Sequence, residues 1–192
     1  MDVSTLPHRL LSITEYLALG EVEPGYTELV EGRLVFSPTP GAWHNHAAVQ
    51  LALQLKGQLP AGHAVLLGLD LDLRLAPDGA PGFCRRPDLL VTTRSPARSV
   101  DGEAPVLRAD EVPLVIEVVS AGSKRTDHVA KHREYADAGI PFYWILDLDE
   151  PISLVACHQA GELGYRDAPA VTGTFATAEP FRCEIDLPAL LD

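Results

Sequence analysis

The sequence has no long apolar run and no leader-like start. None of its hydrophobic stretches approaches the roughly 18 to 20 residues of a membrane span. The first residues, MDVSTLPHRLLS, contain neither a basic start followed by an extended apolar stretch nor a cleavage site of small residues, so no secretory signal peptide is predicted. We therefore expect a soluble cytoplasmic protein without a membrane partner.

Cysteine is scarce. The three cysteines, Cys84, Cys157 and Cys183, are odd in number, far apart and without C-x-x-C spacing. The pattern indicates neither a disulfide framework nor a cysteine zinc site. We expect each cysteine to be a small buried apolar residue.

Internal repeats, linkers and low-complexity segments are also missing. The chain has 192 residues, of which 46% are hydrophobic and 22% are charged. A chain of this length and composition can bury one substantial core, so we expect a single domain over residues 1–192.

Positive charge is in deficit, with a net charge of −12 at pH 7. Because nonspecific affinity for nucleic acid comes mainly from neutralised phosphates, bulk electrostatics would not hold nucleic acid on such a chain. The charge is uneven, however: residues 85–133 contain nine of the fifteen lysines and arginines and only seven acidic residues. An anionic ligand is expected near this middle third, although ordinary surface charge explains the pattern equally well.

Two local elements are predicted near the start. Ser12 and Glu15 have the S-x-x-E spacing of a capping box and begin a short helix that Gly20 ends. The segments TELV and RLVF then form a β-hairpin whose turn is Glu31-Gly32.

Periodicity predicts further elements along the chain. Apolar residues with helical spacing indicate a second helix over residues 45–59. Strict alternation in LGLDLDLRL, from Leu67 to Leu75, predicts a half-buried strand. A further strand, PDLLVTT, is predicted to begin at Pro87, where a missing N–H is best tolerated.

The centre of the chain has the pattern of a crossover unit. VPLVIEVV is too apolar for one face in water, so it predicts a central strand. Thr126 is the predicted cap of a helix through Ala138, with Gly139 as its stop, and FYWILDL predicts another buried strand. The unit over residues 112–148 is right-handed if its strands are parallel. Short antiparallel strands follow Asp149, which gives an α/β fold with a mixed sheet covered by helices.

Three polar residues lie where this architecture converges. Asp88 is at the start of one strand, Glu117 interrupts an apolar strand, and Lys131 lies on the helix after it. Asp127, Lys131 and Tyr135 are spaced by four residues and share one stripe of that helix. Burying an ionised carboxylate is costly unless a partner or a metal compensates. Two carboxylates on neighbouring strands suit Mg²⁺ or Mn²⁺ rather than zinc.

Four segments together carry a resemblance: TELVEGRLVFSP, RRPDLLV, PLVIEVVS and DHVAKHREYADAGIPFYWILD. In this order they resemble the signature segments of the Uma-two family of bacterial endonucleases, within the PD-(D/E)XK nuclease superfamily. The resemblance covers roughly residues 12–150 and is most specific in the last segment. It implies a restriction-endonuclease-like mixed β-sheet core flanked by helices, with an N-terminal helix and β-hairpin and short C-terminal antiparallel strands.

The resemblance also implies a metal site. The superfamily's E-x-K lysine is absent, because Val119 stands two residues after Glu117. The resemblance implies that Lys131 takes its place, so that Asp88, Glu117 and Lys131 are the catalytic residues. The implied metal ligands are Asp88, Glu117, the backbone carbonyl of Val118 and, directly or through water, Glu28.

The implied chemistry is Mg²⁺- or Mn²⁺-dependent hydrolysis of phosphodiester bonds in DNA. A carboxylate-bound cation activates water and offsets phosphate charge, while a lysine stabilises the transition state. Other side chains are candidates for contact with the substrate. They are His46, which matches a histidine of the family, Tyr135, and the basic residues Arg85, Arg86, Lys124, Arg125 and Arg133.

Simpler roles remain open for several of these residues. In the simplest alternative, Glu117 and Lys131 form only a buried ion pair. For Glu28 the separate alternative is an exposed hairpin carboxylate. Tyr135 is favoured as a packing residue with a bonded hydroxyl. Asp127, near the start of the helix, suits the helix dipole.

Two rival metal motifs are disfavoured. His128 and His132 have the i, i+4 spacing of zinc enzymes, but the glutamate of H-E-x-x-H is missing and both are expected to face solvent. The letters HNH at residues 44–46 open a plain helix, without the context of the nuclease class of that name.

A second function from another class is a catalytically inactive nuclease-fold module for binding or assembly. The acidic net charge favours it, because most of the surface would repel DNA. Self-association as a homodimer through the apolar tail is a further expectation.

Overall fold

The computed structural model describes residues 7, 9–20, 25–37, 39–93, 106–119 and 122–192. Residues 94–105, which belong to the basic middle third, lie outside this description. The helices within the described ranges are α1 (Ile13–Leu17), α2 (Ala42–Lys56), a π-helix (Thr126–Lys131) and α3 (His132–Asp137), which continues the π-helix directly, together with short 3₁₀ helices at Ala109–Glu111, Gly161–Leu163 and Pro188–Leu190. None of these helices is both long and apolar enough to cross a bilayer.

The strands form three sheets. The strand bounds are β1 (Tyr26–Val30), β2 (Arg33–Ser37), β3 (Ala64–Leu67), β4 (Leu71–Asp72), β5 (Cys84–Arg85), β6 (Leu89–Thr92), β7 (Leu107–Arg108), β8 (Leu114–Val119), β9 (Phe142–Asp147), β10 (Ser153–Gln159), β11 (Tyr165–Asp167), β12 (Val171–Thr172), β13 (Thr174–Thr177) and β14 (Cys183–Asp186). One sheet has the order β2-β1-β5-β4-β7, and β13 pairs with β14. The largest has the order β11-β10-β9-β8-β6-β3, with β12 also on β10.

The crossover unit forms as predicted. β8 and β9 are parallel, with Leu114 opposite Phe142 and Val119 opposite Asp147. β6 pairs with the other edge of β8 in the antiparallel sense, so the sheet is mixed. Every residue of β8 is buried, which explains why its sequence is apolar on both faces. The predicted α/β class is confirmed.

The two faces of β8 meet different cores. Ile116 packs with α2, through Leu51 and Leu55, in the larger core. Val115 packs with Tyr135 of α3 in the second core. Because side chains alternate along a strand, Glu117 projects to the same face as Val115. The carboxylate of Glu117 therefore lies beneath the helix that carries Lys131.

The alternating run from Leu67 to Leu75 is not one strand, so that prediction is wrong. β3 ends at Leu67, and Gly68 then adopts a left-handed conformation with φ +58°. The chain continues as β4 in the other sheet. Leu71 and Leu73 are buried whereas Leu67 is 43% exposed, so the alternation reflects burial beyond the break rather than one continuous half-buried strand.

Three predicted boundaries are also wrong. Thr126 does not cap its helix, because Lys124 and Arg125 are already helical. The strand predicted from Pro87 begins two residues later, at Leu89. At Asp88 the side-chain carboxylate accepts the N–H of Val118, so the backbone pairing of β6 with β8 does not continue there. The second helix is Ala42–Lys56 rather than 45–59, because Gly41 already provides an extended N-cap.

Gly32 fixes the hairpin that carries Glu28. It has φ +75°, and a Cβ at this position would lie 2.7 Å from the Cβ of Pro81. Gly32→Ala is expected to lower the free energy of unfolding by about 2 to 4 kcal/mol, because backbone strain and overlap add. Urea denaturation followed by tryptophan fluorescence measures this loss.

Gly62→Ala is the matched control for this variant. Gly62 also has a positive φ, +84°, but a Cβ there would meet no atom within 4 Å. Only backbone strain remains, so a loss of about 1 kcal/mol is expected. Equal losses in the two variants would contradict the close packing assigned to Gly32.

Candidate metal centre

A cavity of about 410 Å³ opens between the hairpin, the first turn of α2, β8 and the π-helix. Its lining brings together residues that are far apart in the sequence. The charged and titratable lining residues are Glu28, His44, Arg85, Asp88, Glu117, Asp127 and Lys131, with Tyr26 beside them. The three predicted catalytic residues, Asp88, Glu117 and Lys131, therefore share one cavity.

The ammonium of Lys131 is surrounded by carboxylates. Its Nζ lies 2.9 Å from Glu117 Oε1, 3.4 Å from Asp127 Oδ1 and 3.7 Å from Glu28 Oε1. Burial by itself would lower the pKa of Lys131, but the carboxylates, with Glu117 foremost, outweigh burial and raise that pKa above its usual range. Lys131 therefore carries a permanent positive charge, although the residue is only 6% exposed to solvent.

Glu117 is held by two contacts on one oxygen. The hydroxyl of Tyr135 donates a hydrogen bond of 2.7 Å to Glu117 Oε1, the same atom that faces Lys131. Burial raises the pKa of Glu117 to about 8, and the nearby carboxylates of Asp88 and Asp127 raise it while Lys131 opposes them. A cation added near this carboxylate would therefore stabilise its ionised form.

The shared stripe of Asp127, Lys131 and Tyr135 is confirmed by the structure, since all three are buried. The widened turns of the π-helix lie here, a feature that is common at functional sites. The main-chain carbonyl of Asp127 accepts a 3.0 Å hydrogen bond from the hydroxyl of Tyr143. The stripe thus turns a carboxylate, an ammonium and a phenol toward Glu117.

Asp88 and the backbone of Val118 are linked directly. Asp88 Oδ2 accepts a 2.8 Å hydrogen bond from the N–H of Val118. The carbonyl of Val118 accepts a 2.9 Å hydrogen bond from Nε2 of His44, and the same Nε2 lies 3.2 Å from Asp88 Oδ2. Burial lowers the pKa of His44, but the hydrogen bond and charge of Asp88, together with the contacts to Val118 and Asn45, outweigh burial and raise that pKa.

Sequence reasoning missed His44 and selected His46 instead. Nε2 of His46 lies 2.8 Å from the main-chain oxygen of Asp192, and His46 does not line the cavity. A signal for His44 was present, because it stands four and seven residues before Ala48 and Leu51 on the buried face of α2.

Glu28 is buried in a network of basic partners, which makes the exposed-carboxylate alternative wrong. Glu28 is only 2% exposed. Its Oε2 accepts a 2.8 Å hydrogen bond from Nη1 of Arg85, and its Oε1 accepts a 3.0 Å hydrogen bond from the N–H of Arg86. Burial raises the pKa of Glu28, but Lys131 and Arg85 outweigh it and lower that pKa, so the carboxylate is ionised.

Arg85 is enclosed, and the structure does not offer it to a substrate. Besides Glu28, it binds Glu134 in a bidentate manner, with Nε 2.6 Å from Oε2 and Nη2 2.8 Å from Oε1. The Arg85 side chain is 4% exposed. The expectation that Arg85 orients a nucleic-acid backbone is therefore corrected: it joins the hairpin to α3.

The other substrate-side candidates lie around the cavity rather than in it. Nε of Arg86 binds Asp70 Oδ1 at 2.9 Å. Lys124 is half exposed, with Nζ 2.7 Å from Asp147 Oδ2, and Arg125 is exposed at the start of the helix. Tyr135 is fully buried, so its hydroxyl contacts Glu117 and not solvent.

The donor set fits a hard divalent cation. Asp88, Glu117 and the Val118 carbonyl present only oxygen atoms, which Mg²⁺ and Mn²⁺ prefer. The four carboxylates of the cavity outnumber its two cations, and one of these, Arg85, is shared with Glu134. Asp127 Oδ1 is buried without a hydrogen bond. A bound cation would offset this excess of carboxyl groups over cations and would stabilise the ionised form of Glu117.

Known proteins resemble this chain in sequence and in fold. The model of the Uma2 family, described as "Putative restriction endonuclease", matches residues 13–189. The crystal structure of "a putative nuclease belonging to DUF820" from Anabaena variabilis is similar, with a TM-score of 0.70 and 18% sequence identity over 94% of this chain and 97% of that chain. That likeness shows a shared fold. No curated protein matches the chain.

Proposed function

The chain belongs to the Uma2 family, and on that premise we propose that it is a divalent-metal-dependent endonuclease that hydrolyses phosphodiester bonds of DNA. The observation that carries the proposal is the convergence of two carboxylates and one ammonium, those of Asp88, Glu117 and Lys131, on one cavity. The match to the family model extends to residue 189, whereas the resemblance carried by the four sequence segments ends near residue 150.

In this proposal Asp88, Glu117 and the carbonyl of Val118 hold Mg²⁺ or Mn²⁺. When bound, such a cation lowers the pKa of a water molecule and offsets charge on the scissile phosphate. Glu28 is a less direct ligand, because both of its oxygens already accept hydrogen bonds. Its proposed role is to keep Lys131 charged and in place.

The remaining contacts orient these groups. Tyr135 donates to Glu117 and fixes its carboxylate, and His44 bridges the Val118 carbonyl and Asp88. Lys131, with its three carboxylate neighbours, brings a fixed positive charge to the place where a phosphate gains negative charge. Such preorganised electrostatics is a major source of catalysis.

DNA backbone contacts are proposed for Arg125, Lys124 and Arg86 at the rim of the cavity. Arg125 is exposed, whereas Lys124 and Arg86 are already paired with Asp147 and Asp70. Phosphate contacts fix the position of a duplex without reading its sequence. Arg125 is therefore the rim residue that can meet a phosphate without first breaking one of these ion pairs.

Asp88→Asn tests the metal assignment. The variant should weaken Mn²⁺ binding at least tenfold, because it removes a charged ligand while it keeps the size of the side chain. Cleavage of supercoiled plasmid in Mn²⁺ should fall with it. Isothermal titration calorimetry and a plasmid-nicking assay measure the two effects.

Asp78→Asn is the matched control, since the Asp78 side chain is 96% exposed and lies outside the cavity lining. It should bind Mn²⁺ and cleave plasmid as the wild type does. Equal Mn²⁺ affinity in Asp88→Asn and wild type would refute the metal site. Metal binding without any cleavage in the wild type would favour the inactive binding or assembly module instead.

A further inference from the structure

A second group of potential ligand atoms lies outside the cavity. His132, Cys157 and Asp167 each offer one donor atom, and these atoms all lie within 4.8 Å of one another. The i, i+4 pair of His128 and His132 does not form this group. His128 is exposed and lies outside it, and the partners of His132 are Cys157 and Asp167. The group supplies one nitrogen, one sulfur and one oxygen.

The fold builds this group from a strand pair and a helix. Cys157 of β10 stands directly opposite Asp167 of β11 in an antiparallel ladder, so both side chains project to the same face. His132 begins α3, and its Nε2 lies 2.8 Å from Asp167 Oδ1. The rings of Tyr143 and Tyr165 pack edge-on against the imidazole, at centroid distances of 6.2 and 5.3 Å. The imidazole is therefore held in one orientation.

The three side chains differ in access to solvent. Cys157 is fully buried, and the side chains of His132 and Asp167 are 22% and 53% exposed. Burial, together with the neighbouring Asp167, raises the pKa of the Cys157 thiol above its usual range. Without a metal this cysteine is therefore a protonated thiol, and ions reach the group from the Asp167 side.

We propose that His132, Cys157 and Asp167 form a site for Zn²⁺ or a similar borderline cation, separate from the proposed Mg²⁺ centre. Imidazole, thiolate and carboxylate are the ligand types that zinc takes in proteins, and three protein ligands leave one position for water. Binding replaces the hydrogen bond between Nε2 of His132 and Asp167 with two metal bonds, and the proton on Nε2 moves to Nδ1 or is released to solvent so that Nε2 can bind the metal. The thiol proton of Cys157 is released to solvent as the sulfur becomes a thiolate ligand.

Such a cation would link α3 to the edge of the large sheet. His132 directly follows Lys131 in the chain, whereas Cys157 and Asp167 lie on β10 and β11. Because the unfolded chain does not present these three ligands together, binding stabilises the folded state. The site would therefore fix the position of the helix that carries Lys131 and Tyr135.

Cobalt provides a direct test on the full chain. One equivalent of Co²⁺ should produce near-ultraviolet thiolate-to-cobalt absorption in the wild type, and the band should be absent in Cys157→Ala. It should persist in Asp88→Asn, because the described lining of the Glu117 cavity contains no sulfur. Cys183→Ala, which removes another buried thiol, is the matched control and should keep the band. A missing band in the wild type, or one that survives Cys157→Ala, overturns the proposal.

Asp167→Asn keeps the test independent of folding in the core, because this side chain is 53% exposed. Zn²⁺ should raise the Tm of the Asp88→Asn protein, in which the first site is disabled, and this increase should be lost when Asp167→Asn is added. Equal increases in the two proteins would show that Asp167 is not a ligand and would refute the site. Neither readout depends on nuclease activity, so the proposed function can fail while this site stands.

Discussion

Lys131→Met should lower the rate of Mn²⁺-dependent plasmid cleavage by about 10²- to 10³-fold, the usual effect of removing one group that stabilises developing charge. Nζ of Lys131 is 2.9 Å from Glu117 Oε1, so the ammonium is beside the proposed metal ligand. Methionine fills similar volume but supplies no charge. Initial cleavage rates at saturating Mn²⁺ measure the effect without the contribution of weaker metal binding.

The same variant separates catalysis from charge balance. Without Lys131, the carboxylates of Glu28, Glu117 and Asp127 lose the ammonium that faces all three. Removing one partner of a buried ion pair typically costs about 3 to 5 kcal/mol. A divalent cation at Asp88 and Glu117 would restore part of that charge balance. Mn²⁺ should therefore raise the Tm of Lys131→Met more than it raises the Tm of the wild type.

Lys56→Met is the matched control, because Lys56 is exposed at the end of α2. Its stability should change by less than about 0.5 kcal/mol, and its cleavage rate should match the wild type. A Lys131→Met protein that cleaves plasmid at the wild-type rate would reduce Glu117 and Lys131 to a structural ion pair, the simplest alternative in the sequence.

The predictions that held depend on neighbours in the sequence or on a single repeating pattern. The capping box forms, with Ser12 N–H donating to Glu15 Oε2 at 2.9 Å and Glu15 N–H donating to Ser12 Oγ at 3.3 Å. The hairpin turn at Glu31-Gly32 also forms, with positive φ at both residues. Such features are decided by local backbone geometry, which a short stretch of sequence specifies.

The predictions that failed depend on contacts that the local sequence does not contain. The run from Leu67 to Leu75 is divided between two sheets at Gly68: Leu67 is exposed at the end of β3, whereas Leu71 and Leu73 are buried beyond the break. Only the strand partners, which come from distant parts of the chain, reveal the break. The choice of His46 over His44 followed the resemblance to the family, whereas the contact of His44 with the Val118 carbonyl joins residues 74 positions apart and leaves no mark in the local sequence.

The site shows the same division. Asp88, Glu117 and Lys131 were predicted because two apolar strands and a crossover helix constrain them. The burial of Glu28 was not, because it depends on Arg85, which lies 57 residues away in the chain. Hydrogen bonds between residues so far apart in the sequence produce no periodic pattern. The excess of basic residues between 85 and 133 also gave no reason to distinguish Arg85 from Arg86.

Arg85→Met should lower the free energy of unfolding by about 3 to 5 kcal/mol, because it leaves two carboxylates without their common cation. Arg85 binds Glu28 through Nη1 and Glu134 through Nε and Nη2, at distances between 2.6 and 2.8 Å. All three side chains are at most 15% exposed, so water cannot replace these contacts well. Urea denaturation monitored by circular dichroism measures the loss.

The neighbouring Arg133→Met is the control for charge alone. Arg133 is 84% exposed, with Nε 3.5 Å from Asp137 Oδ2, so its loss should cost less than about 0.5 kcal/mol. Arg85→Lys should recover little of the lost stability, since one ammonium cannot reproduce the bidentate contact with Glu134 and also reach Glu28. A large recovery by lysine would mean that charge rather than geometry stabilises this contact.

The double variant Arg85→Met/Glu134→Gln shows where the loss comes from. If the penalty is the stranded charge of Glu134, removing that charge should return part of the stability, and the two substitutions should not be additive. Glu28 would still face Lys131, 3.7 Å away, so it keeps one cation in the double variant. Strictly additive losses would place the cost in packing around the guanidinium instead. Arg85 would then act as a spacer between the hairpin and α3 rather than as their electrostatic link.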